Sequence, residues 1–227
     1  MPKFRAALYI LLIILSPSTT WAAALDLVQS FVKVNGASGC AIRTWEGEGK
    51  YYAFVISAQH VTSKLPDQSK VPADFFTFKN GGEVVESIRL FGRVLQSNSE
   101  LDYAIIYYVT PHLYPACKNP KLSHQLALGD EVWAAGSPNR MLYWLSKGNI
   151  SALIVGGLLH HYGHSAGTYF GSSGGPLFNK DGELVGLNVR LSSGKNDESL
   201  TMLGFMVPLS KVYQDLGAKK VRYYFNV

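Results

Sequence analysis

Short apolar runs, rich in β-branched and aromatic residues and closed off by turn signals, recur along this chain. No other feature narrows the fold as much. In the first half they read VQSFVKV, GCAIRTW, YYAFVIS, DFFTFK, VESIRLFGRVL and YAIIYYV; in the second, EVWAAG, MLYWLSKGNISALIV, GPLFN, ELVGLNVRL and LGFMVP. Val, Ile, Tyr and Phe suit a pleated, half-buried surface, and flanking Gly, Asn, Pro and Asp mark where such strands stop. WEGEGK (45–50), KNGGE (79–83) and NKDGE (179–183) read as hairpin turns. PLSKVYQDLG, near the C-terminus, is the one stretch read as a helix, with Val207, Val212 and Leu216 at loose helical spacing. Between the two strand sets, TPHLYPACKNPKLSHQLALGD reads as a linker. Two small barrels are expected, although a single β-sandwich would write the same string.

Composition agrees with a strand-rich globular chain: 47% hydrophobic residues, 22 Gly, 13 Tyr and 11 Phe in 227 residues. The formal charge of +5 comes from scattered basic residues. Lys219–Lys220 with Arg222 reads as a solvated end, and without a basic stripe interleaved with aromatics no nucleic-acid partner is expected.

The N-terminus has Lys3 and Arg5, an apolar stretch from Ala6 to Leu15, then Pro17 and small residues ending at Ala22–Ala24. This is the order of a secretory signal. The stretch is far shorter than the roughly 20 residues of a spanning helix, so no stable membrane span is expected after cleavage between positions 22 and 25; an uncleaved anchor is the competing reading. Export to a periplasmic or extracellular site permits a disulfide between Cys40 and Cys117. Cys40 lies on the strand pair leading to His60 and Cys117 in the linker, so their sulfurs could meet across the outside of the first barrel. The alternative is two free thiols, with Cys40 a small buried hydrophobe.

The segment YFGSSGGPLFNKDGELVG (169–186) places Gly171, Gly174 and Gly175 around Ser172 and Ser173. Glycine is costly to order, so the concentration calls for a backbone reason. Gly171-x-Ser173-x-Gly175 matches the nucleophile elbow of α/β-hydrolases, but that arrangement needs its acid and histidine after the serine. The last histidine here is His164, nine residues before Ser173. An order of His, Asp, Ser survives: His60 closes an apolar strand in ISAQHV, and Asp102 opens one in LDYAII. A serine hydroxyl needs a base to take its proton, and that base needs a carboxylate to fix its tautomer. Backbone N–H groups in a glycine turn could bind the oxyanion that develops.

SAQHV, LDYAII and GSSGGPL, in that order, resemble the trypsin-like serine peptidases. LGDEVWAAGSP (128–138), SKGNIS (146–151), NKDGELVGLN (179–188) and GFMVPLSKV (204–212) are similar to the bacterial Deg/HtrA-like branch, and the likeness extends over about residues 28–216. The resemblance implies an all-β fold of two six-stranded antiparallel barrels with a short C-terminal helix. Residues 1–24 would be the signal, 25–118 the barrel carrying His60 and Asp102, and 119–227 the barrel carrying Ser173. It implies His60 as general base, Asp102 as its orienting acid, Ser173 as nucleophile, and Gly171 and Ser173 as oxyanion-hole donors. Gly167 and Thr168 would floor the primary specificity pocket, with Asn188, Val189 and Arg190 as its wall. Without an aspartate on that floor, a preference for Arg or Lys loses its usual partner. The expected activity is an exported serine endopeptidase acting on polypeptides through an acyl-enzyme, with no cofactor. The alternative is a weak or inactive homologue that binds unfolded chains.

Two departures stand out. Ser172 occupies the place where digestive members carry an aspartate that binds a freed N-terminus, so no activating cut is expected. The chain also ends soon after the expected helix, with no room for the PDZ domain of many Deg proteases. Finally, HHYGH (160–164) offers three imidazoles, but Gly163 and Gly156–Gly157 argue for a solvated loop contacting substrate, and no nearby carboxylate or cysteine completes a metal site. No metal is expected.

Overall fold

The computed structural model describes residues 27–79, 82–118, 125–153, 160–191 and 204–226; the signal-like N-terminus lies outside them. The first strand set is β1 (Phe31–Val34), β2 (Gly39–Gly47), β3 (Lys50–Ser57), β4 (Val71–Phe78), β5 (Val84–Asn98) and β6 (Tyr103–Thr110). They close into an antiparallel barrel in the order β1-β2-β3-β6-β5-β4. The second set is β7 (Glu131–Gly136), β8 (Trp144–Ala152), β9 (Tyr162–His164), β10 (Pro176–Asn179), β11 (Leu184–Leu191) and β12 (Gly204–Pro208). These close in the order β10-β11-β12-β9-β8-β7. The architecture is the double barrel, not the sandwich.

Local chemistry explains the hairpins. Glu48 and Gly49 both have positive φ, the conformation a two-residue turn needs to follow the strand twist. Asn179 Oδ1 accepts the Asp181 and Glu183 N–H groups, so the NKDGE turn is tied by its first side chain. Buried apolar side chains such as Val32, Ile42, Val55 and Ile106 fill the first barrel, and Leu187, Val207 and Val212 extend the same core to the second barrel and the helix.

Two expectations need correcting. VQSFVKV is a strand only from Phe31, because Leu27–Gln29 is helical. The HHYGH segment is not a solvated loop: Tyr162–His164 is β9, pairing with β8 and β12 at once. Gly163 sits between them with its missing Cβ facing that of Ala152, and glycine marks just such close approaches in a strand. The terminal helical segment α2 (Leu209–Tyr224), which follows the short α1 (Gln59–Thr62), is two short helices: the first stops at Gly217, whose φ of 70° is non-helical, as the sequence leads one to expect, and a second follows across that kink. Val221 and Tyr224 beyond the kink are buried, while Lys219, Lys220 and Arg222 stay exposed. Arg43 donates from Nη1 to the Tyr223 carbonyl at 2.6 Å, placing a cation at the helix C-terminus. Among the described residues no helix is long and apolar enough to cross a membrane.

Cys40 and Cys117 are joined as a disulfide across 77 residues of sequence. Both are buried, because the linker lies along β2 and covers them. The Cys117 N–H donates to the Ala41 carbonyl at 2.7 Å, and Thr44 Oγ1 donates to the Tyr114 carbonyl at 2.8 Å. Closing a loop of that length stabilises by about 4–5 kcal/mol on the chain-entropy model. Replacing both cysteines by alanine should therefore lower the urea midpoint sharply; an unchanged midpoint would show that the bridge contributes nothing.

Candidate active site

His60 and Asp102 are brought together by two adjacent strand ends. β3 and β6 are neighbours, with Ser57 opposite Ala104, so α1 just after β3 faces the turn just before β6. Asp102 holds His60 twice: Oδ1 accepts the His60 backbone N–H at 2.9 Å and Oδ2 lies 2.7 Å from Nδ1. A carboxylate only accepts, so Nδ1 carries the proton and Nε2 is left as the free lone pair. Asp102 makes this reach with a φ of 56°, a conformation that aspartate tolerates better than most residues. Its turn is fixed from behind. Asn98 Oδ1 accepts the Glu100 and Leu101 N–H groups, and Asn98 Nδ2 donates to Asp215 of α2 at 3.0 Å. The same Asp215 accepts the Tyr103 hydroxyl. The terminal helix thus braces the segment that carries Asp102.

The glycine-rich turn of the second barrel packs against the strand end that leads to His60. A side chain on Gly174 would sit on the Ser38 carbonyl and the Ser57 hydroxyl, so only glycine lets the turn approach the strand end that leads to His60. Ser38, just before β2, clamps it: its N–H donates to the Ser173 carbonyl at 3.0 Å, its hydroxyl donates to the Gly171 carbonyl at 2.7 Å, and Oγ accepts the Ser137 N–H at 2.8 Å. The two serines are not equivalent. Ser172 is buried and its Oγ accepts the Tyr169 N–H at 3.2 Å; Ser173 is partly exposed. No hydrogen bond joins His60 Nε2 to Ser173 Oγ among the described residues. In hydrolases without substrate that contact is often long and tightens on binding.

The turn also sorts its own donors. The Phe170 carbonyl accepts the Asn139 N–H at 2.7 Å, and the Ser172 carbonyl accepts the Gly175 N–H at 2.9 Å. In a trans peptide N–H points opposite to C=O, so the Gly171 and Ser173 N–H groups are turned away from those partners. Ser172 and Gly174 donate within the fold, whereas no acceptor within the described residues engages Gly171 or Ser173. Gly171 has a φ of 101°, and a side chain there would strike the Ser137 carbonyl. Two directed N–H groups beside a hydroxyl are what stabilising a carbonyl-derived oxyanion requires.

The residues read as the specificity pocket are spread unevenly. The Gly167 carbonyl accepts Ser146 Oγ at 2.7 Å, and Thr168 is buried. Asn188 is buried beside the turn, its carbonyl accepting the Gly174 N–H at 2.6 Å and its N–H donating to Gly175 at 2.8 Å. Val189 lies in the main apolar core, and the Arg190 side chain is outside the described groups.

Sequence reasoning missed His164, fully buried on β9, with Nε2 2.9 Å from Asn188 Oδ1. It also missed Ser38 and Asn139, whose partners are far away in sequence and leave no local signal. Burial pushes the His164 imidazole down to about 4, against a smaller opposite pull from Asn188 and the Ala166 backbone. The native state therefore binds fewer protons than the unfolded chain as pH falls from about 6.5 towards 4, and stability drops across that window by about 3 kcal/mol. Urea midpoints between pH 7 and 4 should fall more steeply for the wild type than for His164→Gln; equal slopes would contradict the burial argument.

Comparison with known proteins adds relatives to this geometry. A family model described as a trypsin-like peptidase domain matches residues 37–187. The magnetosome formation protease MamE of Magnetospirillum gryphiswaldense is 30% identical over 130 residues, covering 55% of this chain and 16% of that protein. A probable serine protease do-like of Buchnera aphidicola is 31% identical over 140 residues, 60% of this chain and 28% of that one. The chain thus spans under a third of the length of either relative. The crystal structure of the MamO protease domain from Magnetospirillum magneticum matches with a TM-score of 0.66 at 23% identity, covering 85% of this chain and 98% of that one. A serine endoprotease from Yersinia pestis gives 0.63 at 21%, covering 90% and 67%. At such identities the structural likeness speaks for the fold alone.

Proposed function

Because this chain belongs to the trypsin-like peptidase family, we propose that it is a serine endopeptidase that hydrolyses polypeptides through an acyl-enzyme. The observation that carries the reading is the double hold of Asp102 on His60, which leaves Nε2 unprotonated, while the nucleophile turn packs against the strand end that leads to His60. Nε2 takes the Ser173 proton as Oγ attacks the scissile carbonyl, and the Gly171 and Ser173 N–H groups receive the oxyanion. The imidazolium then gives its proton to the leaving amine, and water repeats the sequence to release the acid. The residues invoked complete this cycle without a cofactor.

Ser172 Oγ is engaged with Tyr169 in a buried position, so the turn is held without a buried carboxylate there and needs no freed N-terminus. We also read the protein as exported, to a periplasmic or extracellular site: the N-terminal segment has a signal's order, and the Cys40–Cys117 bridge suits an oxidising compartment. The test of the activity is cleavage of a reduced, unfolded polypeptide by the purified chain, blocked by a fluorophosphonate. Binding without cleavage would instead mark a polypeptide-binding homologue.

A further inference from the structure

The φ of 56° at Asp102 lies in the left-handed region, which a non-glycine residue holds best where its neighbours fix the chain on both sides. Here both neighbours lead to one carboxylate. Before Asp102, Asn98 Oδ1 accepts the Glu100 N–H at 2.9 Å and the Leu101 N–H at 3.0 Å, shaping the turn from inside. A carboxamide does this only with its oxygen facing the turn, and that orientation is set by Nδ2 donating to Asp215 Oδ1 at 3.0 Å. After Asp102, the hydroxyl of the fully buried Tyr103 donates to Asp215 Oδ2. Burial first, and then Asp215 itself, keeps that phenol protonated, so it stays a donor. Val212 and Leu216 flank Asp215 on the first helix of α2 and are buried in the main core, so the carboxylate stands on a fixed support. Asp215 is exposed and could be left to water, yet each of its oxygens is engaged, and both partners flank Asp102.

We propose that Asp215 is a positioning residue for the His60–Asp102 pair: by holding Asn98 and Tyr103 on either side of Asp102, it keeps the acid in the one geometry that grips His60 twice. The effect on His60 stands on these contacts, and only its consequence for rate rests on the peptidase reading. Without Asp215, the Asn98 amide loses the partner that orients it, and the Tyr103 hydroxyl loses its acceptor. The turn then relaxes, and Asp102 no longer meets the His60 backbone N–H and Nδ1 together. The ring proton is no longer confined to Nδ1, so a fraction of His60 carries it on Nε2 instead. A base with its lone pair free for less of the time slows proton transfer and leaves substrate binding as it was.

The test reads His60 directly. In the full chain with isotope-labelled histidine, under conditions where the imidazole is neutral, two-bond proton–nitrogen correlations tell a protonated ring nitrogen from a bare one. The wild type is expected to show Nδ1 protonated and Nε2 bare; in Asp215→Ala the two nitrogen shifts should move towards each other as the second tautomer fills. On a peptide substrate, kcat per active site should fall about tenfold with KM within about twofold. In an Asp102→Asn background the same substitution should cost less than about twofold, because its effect passes through Asp102. An exchange of the two side chains covers a variant that fails to fold. Asn98→Asp alone sets two carboxylates against each other and should match Asp215→Ala. Combined with Asp215→Asn, it restores one carboxylate and one carboxamide in each other's places, and should return the tautomer and bring kcat within about threefold of the wild type. An unchanged tautomer in Asp215→Ala, an undiminished loss in the Asp102→Asn background, or no recovery on exchange overturns the assignment. The peptidase reading fails separately: wild-type protein that neither cleaves peptide nor reacts with a fluorophosphonate loses the catalysis, while the tautomer comparison still decides the role of Asp215.

Discussion

Ser173→Ala is expected to lower kcat/KM on a peptide substrate by about 10⁶-fold, while Ser172→Ala leaves it within about tenfold. The two hydroxyls are one residue apart and chemically identical, so only their surroundings separate them. Ser172 is 5% exposed and already accepts the Tyr169 N–H. Losing its oxygen removes one hydrogen bond inside the turn, a stability effect of about 1 kcal/mol. Ser173 sits partly exposed, with its carbonyl held by the Ser38 N–H and no acceptor for its own N–H among the described residues, so on the proposed reading Oγ is the hydroxyl that meets a substrate carbonyl. Without it the oxyanion donors and the binding groove remain, and they sustain only the residual catalysis that such groups give unaided. Comparable losses for both variants, or a larger one for Ser172→Ala, would reverse the assignment.

Asp102→Asn is expected to cost about 10⁴-fold near neutral pH with little change in the fold. The two contacts of Asp102 explain why. A carboxylate accepts from both the His60 backbone N–H and Nδ1, at 2.9 and 2.7 Å. A carboxamide has one acceptor. If its oxygen keeps the backbone N–H, its NH₂ meets Nδ1, which must then become the lone-pair nitrogen, and the ring proton moves to Nε2. His60 then presents a proton where it has to receive one. The imidazolium also loses the negative charge that stabilises it as it forms. A loss below about tenfold in Asp102→Asn would mean that the acid does not set the tautomer.

Much of this was legible because it is local. Turn residues sit beside the strands they join, so NKDGE and WEGEGK located their hairpins, and the β-branched and aromatic runs marked the strands without fixing every end, VQSFVKV beginning as helix. ISAQHV, LDYAII and GSSGGPL placed the histidine, acid and serine in chain order. What stayed hidden depends on chain brought from far away. Ser38 meets Gly171 across 133 positions, and nothing around Ser38 announces it. β9 is three residues long, contains a glycine, follows two histidines and ends in a third; it is a strand because β8 and β12 pair with it on both sides, not from any propensity of its own. Tertiary pairing likewise turns His164 from a surface imidazole into a buried prop for Asn188. The short helix beyond Gly217 forms where Val221 and Tyr224 find burial, information that the glycine stop before it does not contain.

Reaction of the native purified chain with a fluorophosphonate, followed by peptide mapping, decides whether Ser173 is an activated nucleophile. The reagent needs a serine activated by its surroundings, so it reports the assembled site without any choice of substrate. One adduct per chain is expected, on Ser173, lost on unfolding and in Ser173→Ala, and retained in Ser172→Ala. Folded wild-type protein that takes up no reagent at neutral pH, or takes it up on Ser172, would contradict it.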